Sequence, residues 1–171
     1  SKKATIGKYS GQKLEYTLGN TGSDNTHILA KFIEFSEQIR QHPYINSIEF
    51  QSNSKVDNAM LRIRIFDVDE NGIPTDDIVN EDILVTVKNG KRNNTVDLSK
   101  YQIKIQEEGI IIGFEYLKLE QNKHFKNFVN ETPEQRQKNF SYEPGILCFL
   151  GKNKIRYFNK DRSPKKSEIK G

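Results

Sequence analysis
Tryptophan is absent from this chain of 171 residues, and cysteine and methionine occur once each. A single cysteine excludes a disulfide framework within the chain. Cys148, set in the apolar run GILCFL, reads as a small buried hydrophobe rather than a reactive thiol. The lack of tryptophan counts against a typical sugar-stacking platform and leaves Tyr9, Tyr16, Tyr44 and Tyr101, all near turns, as aromatic candidates. No apolar run approaches the ~20 residues that a membrane-spanning helix needs. The opening SKKATIGKYS carries no apolar stretch of the signal-peptide kind, so the chain reads as a mature piece of something longer. Metal-ligand spacings such as H-x-x-x-H, C-x-x-C and H-E-x-x-H are missing. So are the G-x-S-x-G, P-loop and dinucleotide-binding glycine patterns.

Charge of one sign is scarce in the body of the chain. The formal net charge is +4, yet between Lys152 and Lys170 eight basic residues stand against two acids, so the remainder is slightly acidic. No basic face for nucleic acid is expected there. The tail reads as a solvated, frayed end, with an anionic partner as the sharper alternative. The length suits a single domain over 1–171, with frayed ends at 1–8 and 160–171.

What is present is a period of two. MLRIRIF places Leu61, Ile63 and Ile65 on one face and Arg62 and Arg64 on the other. DILVTVK alternates Ile83, Val85 and Val87 with polar or exposed positions, and NTVDLSKY turns Val96 and Leu98 inward. GIIIGFEYLKL is almost continuously apolar, as a central strand covered on both faces should be. YINSIEF, GILCFL and KIRYF are further short strands, and Asn71-Gly72, Asn89-Gly90, Glu108-Gly109 and Pro144-Gly145 punctuate the series. Many short strands at this spacing predict an all-β antiparallel sandwich or barrel. Two segments depart from it. Over 28–41, Ile28, Leu29, Phe32, Ile33 and Ile39 fit helical spacing, although the first half also suits a strand. In NETPEQRQKNF, Thr132, Pro133 and Gln135 spell a capping box and a short helix in a polar connection.

The one stretch that resembles a metal loop is DVDENG. Asp67, Asp69, Asn71 and Gly72 fit the first half of an EF-hand-type loop, but position 12 is Ile78 and Pro74 interrupts the run. It reads as a tight turn at Asn71-Gly72 with solvated acids around it, weak calcium binding being the alternative. His27, His42 and His124 lie far apart in dissimilar surroundings, and the Glu107-Glu108 pair sits at a turn. No catalytic residue, metal site or cofactor is expected. Binding is placed on polar loops at 89–94 and 121–142.

The run RIRIFDVDENGIPTDDIVNEDILVTVKNGKRNNTVDLSKYQIKIQEEGIIIGFEYL resembles a β-sandwich domain of bacterial cell-envelope proteins. These are often described as carboxypeptidase-like regulatory-domain-containing proteins, in which a small regulatory-like sandwich usually comes first. The similar elements are the strand ending in DVDENG, LVTVKNGK, the VDLSKY corner, GIIIGFEYL and the later SYEPGIL, over roughly 44–150. The resemblance implies a jelly-roll-like antiparallel sandwich, an extracytoplasmic location and no catalytic residues to carry over. It also favours a strand at HILAKFIEF, with a helical turn left open in the following SEQIRQHP. The function so implied is a non-catalytic binding or accessory module that recognises a protein or glycan. The alternative is a carbohydrate-binding module attached to an envelope enzyme or transporter.

Overall fold
In the computed structural model, residues 4–6, 16–20, 27–126, 132–148 and 155–159 are described. The alternating segments form two antiparallel sheets. One contains β1 (Tyr16–Asn20), β10 (Phe140–Cys148), β3 (Ser47–Ser54) and β7 (Gly90–Asp97) in that order, with β9 (Lys123–Phe125) also on β10. The other runs β11 (Ile155–Asn159), β2 (His27–Ile33), β8 (Ile110–Tyr116), β4 (Ala59–Val68), β5 (Pro74–Asp77), with β6 (Ile83–Val87) also on β4. Four ladders nest from the outside in: β1 with β10, β2 with β8, β3 with β7, β4 with β6. The chain is thus one long hairpin, rolled up and closed where β10 meets β3 and β8 meets β4. That is a jelly roll.

Between the sheets lie the residues of one parity. Leu61, Ile63 and Ile65 of β4 meet Leu29, Ile110, Tyr116 and Ile146, all buried, with Ile48, Phe50 and Val96 packed against them. Burying each such aliphatic side chain contributes about 1.5–3 kcal/mol. The Phe50 and Phe114 rings meet across the sheets at 4.8 Å, and the Tyr116 hydroxyl donates to the Leu18 carbonyl at 2.6 Å. The VDLSKY corner closes as its residues suggest. Leu98 is fully buried, and Asp97 accepts the Ser99 N–H at 2.8 Å, opening the 3-10 turn Ser99–Tyr101.

The six-stranded sheet is apolar over part of its other face too. Ile28, Ala30, Phe66, Val68 and Ile111 form a separate buried cluster there. This accounts for the helical look of 28–33, since β2 must be apolar on both sides. A helix does follow, but only α1 (Glu37–Gln41), with the Ser36 hydroxyl accepting the Ile39 N–H. Gly113 belongs to the same face. A Cβ there would stand 2.6 Å from Ile28 Cγ2, so the glycine lets neighbouring strands close their side chains over β8.

Several boundaries differ from the sequence reading. β7 occupies 90–97, so the segment 89–94 is no loop; Lys91, Arg92 and Asn93 are exposed on an edge strand, where charge discourages further pairing. β5 lies inside the expected loop, since an edge strand tolerates Pro74 and two acids. β3 runs on through polar residues because Ser52 and Ser54 are buried. The capping box is present, with Gln135 N–H on the Thr132 hydroxyl and Thr132 N–H on Gln135 Oε1, and opens α2 (Pro133–Lys138). The ends expected to fray, 1–8 and 160–171, lie outside the described residues apart from 4–6.

Candidate functional site
The metal-like stretch joins β4 to β5, with Val68 opposite Pro74. Asp69 organises the five residues between them. Its Oδ1 accepts the N–H groups of Asn71 at 2.9 Å and Ile73 at 2.8 Å, and its own N–H donates to the Ile73 carbonyl. The left-handed conformation belongs to Gly72 alone (φ 71°), not to an Asn-Gly pair, so the loop is wider than a two-residue turn. The Asp69 carboxylate therefore faces donors, where a cation would require acceptors. Among the described residues no three His, Cys, Asp or Glu side chains gather as a metal-binding group. Replacing Asp69 by alanine should cost about 1–2 kcal/mol in urea denaturation, for two lost hydrogen bonds. Calcium should leave the melting temperature unchanged with or without the substitution. A calcium-dependent rise that Asp69→Ala removes would overturn this reading.

The other candidates are dispersed. His27 is on β2, His42 ends α1 and His124 is on β9. The backbone of Cys148 closes β10 opposite Tyr16, while both side chains, like all of Tyr9, lie outside the described residues. Tyr44 is 53% exposed, at an isolated bridge to Lys104. In the segment 121–142, of which 127–131 lie outside the described residues, Gln121 and Asn122 are spent on closure. Asn122, fully buried, accepts the Met60 N–H at 2.8 Å and donates to the carbonyls of Met60 and Leu117, standing in for a strand along the edge of β4. Nearby an aromatic step runs from exposed Phe125 through Phe140 to Tyr142, with the Lys123 ammonium 5.2 Å from the Phe140 ring centre.

The arginines of β4 do not face open solvent, as strict alternation would suggest. Glu115 of β8 is 2% exposed and receives both Arg62 and Arg64, each Nη1 at 3.1 Å from the same carboxylate oxygen. Each arginine also holds a second acid. Arg62 Nε lies 3.1 Å from Asp82, and Arg64 grips Asp77 with Nε and Nη2. The Asp77 hydrogen bonds, joined by those of Glu115, hold the Arg64 guanidinium above its usual pKa despite its partial burial. The missed signal was a lone acid in an otherwise apolar central strand, GFEYL, which demands a cationic partner on a neighbouring strand.

This network borders a break in the sheet edge. β6 pairs with β4 up to Ile63 and β5 from Phe66 onward, so the connection 78–82 bridges a gap anchored by Ile78 N–H on the Ile65 carbonyl. On one side of the bridge is a cleft of about 220 Å³ lined by Arg62, Arg64, Asp77, Asn80 and Asp82 among others. On the other is a more open depression of about 330 Å³ formed by Ile78, Val79, Asn80, Glu81 and Tyr101. Lys100 links two residues of the second, Tyr101 and Glu81. Its ammonium is 4.4 Å from the Tyr101 ring centre and 3.2 Å from Glu81, and those two contacts, Tyr101 first, raise its pKa. Of the tyrosines singled out in the sequence, Tyr101 lines this depression. Compared with known proteins, the chain matches no family model, no curated protein and no solved structure.

Proposed function
We propose that this jelly roll is a non-catalytic binding or accessory module of a bacterial cell-envelope protein, working outside the cytoplasm and recognising a protein or glycan partner. One observation carries the reading. Asp69, the central acid of the metal-like stretch, is engaged on turn N–H groups, and other polar side chains in the described residues likewise hold the scaffold: Asp97 on a turn N–H, Asn122 on an open strand edge, Glu115 between two arginines. A catalytic base or nucleophile has to exchange its proton or bond with a substrate, which a side chain committed to its own backbone does not do. Function then falls to surface features of a rigid sandwich. The sequence resemblance supplies the envelope setting. A second reading, a carbohydrate-binding module attached to an envelope enzyme or transporter, is favoured by the polar depression around Tyr101.

Screens for hydrolysis of esters, glycosides, peptides and phosphoesters should be blank. Reproducible turnover that is lost on changing a single His, Asp or Glu would replace the binding reading with an enzyme.

A further inference from the structure
Charge is sorted along the long axis of the sandwich. Ser54 lies opposite Gly90, Ala59 opposite Val87 and Leu61 opposite Tyr116, so the connections 55–58, 88–89 and 117–122 share one end. β9 lies farther out at that end, on the part of β10 that runs past its rungs with β3. The stretches 55–58, 88–89 and 117–126 carry Lys55, Lys88, Lys118, Lys123 and Lys126 against Asp57 and Glu120. Lys91 and Arg92, both exposed, follow at the start of β7. Glu120 is taken up by Lys123 at 2.5 Å, and Asp57 accepts the Asn89 N–H at 3.1 Å. In sequence the connection 127–139 is balanced, Glu131 and Glu134 against Arg136 and Lys138. Ser47 opposite Asp97, Ile33 opposite Ile110 and Val68 opposite Pro74 mark the other end. There 34–46, 69–73 and 98–109 bear Glu34, Glu37, Asp69, Glu70, Glu107 and Glu108 against Arg40, Lys100 and Lys104. A body slightly acidic in sum thus has one basic end.

The same end exposes large apolar side chains. Phe125 is 48% exposed and Leu119 36%. The Phe125 ring is braced at 6.0 Å by Phe140, which meets Tyr142 in turn, so it stands exposed on a fixed base. Each feature narrows the partner. A soluble polyanion would engage the lysines and leave Phe125 and Leu119 in water. An uncharged apolar surface would cover the ring but strip water from ammonium groups with no answering charge. A bilayer containing anionic lipid answers both, since rings seat at the headgroup boundary while long lysine stems reach the phosphates. The lysines also come from three separate connections around the end rather than from one groove, as a flat partner requires. We propose that this end is a membrane-docking surface for anionic phospholipid, with Phe125 seated at the headgroup boundary and the surrounding lysines on the phosphates. The inference adds a surface to the binding module and holds whichever partner that module takes.

The chain has no tryptophan, so Phe125→Trp places a single reporter at this end. With vesicles of phosphatidylcholine and phosphatidylglycerol in equal parts, the full chain should co-sediment and the reporter's emission should shift to the blue. Phosphatidylcholine alone should produce neither. Lys88→Ala combined with Lys91→Ala, both at exposed positions, should weaken vesicle binding about 25-fold, since each lysine near such a surface contributes about a factor of five. Phe125→Ala should weaken it about fivefold or more. Melting temperatures report whether each variant folds, and the lysine pair decides the matter if Phe125→Ala does not. The basic tail is the rival source of attraction. Lys165→Glu with Lys166→Glu, in the chain carrying Phe125→Trp, should leave the emission shift in place. Vesicle binding lost with the tail pair and untouched by the Lys88 and Lys91 changes would overturn the proposal. So would binding without an emission shift, or binding to a soluble oligogalacturonide where vesicles fail. Absence of vesicle binding would overturn it too, whereas only turnover in the activity screens removes the binding module itself.

Discussion

Glu115→Ala should be among the most destabilising single substitutions in this protein, costing about 3–5 kcal/mol, the range for removing one partner of a buried ion pair. The residue is 2% exposed, and its loss leaves two guanidinium groups side by side on β4 with only the outer acids to answer them. In a chain of this length the melting temperature should fall by roughly 10 °C. Scanning calorimetry and a urea midpoint measure both. A companion variant separates charge from packing. Changing Arg62, Arg64 and Glu115 together to Met, Met and Leu removes the buried charge along with both guanidinium groups, leaves only the more exposed Asp77 and Asp82 without them, and should cost less, since apolar replacement of buried ion pairs is often neutral. If Glu115→Ala costs under about 1 kcal/mol, water reaches the carboxylate and the network is a surface feature.

Asn122→Ala should cost about 3 kcal/mol or more by a different route. No charge is involved; the amide serves three backbone groups, the Met60 N–H and the carbonyls of Met60 and Leu117. Leaving each buried group without a partner costs about 1–3 kcal/mol, reduced where water enters the space. The loss should be visible locally as well as globally, since the Met60 amide would exchange with solvent much faster. Asn122→Asp keeps the acceptor for Met60 N–H but turns a carboxylate toward two carbonyls, so it should be no better than alanine. Unchanged protection at Met60 in Asn122→Ala would mean the edge of β4 is held by other contacts.

Asn122 and Glu115 also mark where reading the chain alone stops. Nothing near LEQNKH distinguishes Asn122 from its polar neighbours, because its partner Met60 is 62 positions away. Within GFEYL the acid is conspicuous, but its arginines are 53 and 51 positions earlier, and alternation by itself assigned them to solvent. The depression around Tyr101 was legible only as a tyrosine near a turn. Its residues 78–81 come from a break in the sheet edge between β5 and β6 that no local pattern records, since β5, PTDD, has Thr75 as its one strand-favouring residue.

Elsewhere local chemistry was enough. The inward parity of Leu61, Ile63 and Ile65, the outward Leu84 at 48% exposure, the corner at Asp97 and the capping box at Thr132 each depend on neighbours within a few residues. Side-chain parity, turn chemistry and caps are short-range effects, so the sequence by itself determined an all-β antiparallel architecture, sandwich or barrel, the faces its strands bury and where one short helix begins. The nesting of β1 with β10 through β4 with β6, the second apolar face of the six-stranded sheet, the pairing of Glu115 and the depression at Tyr101 were decided only in three dimensions. Each depends on residues tens of positions apart, brought together only when the long hairpin rolls up and its sheets close over one core.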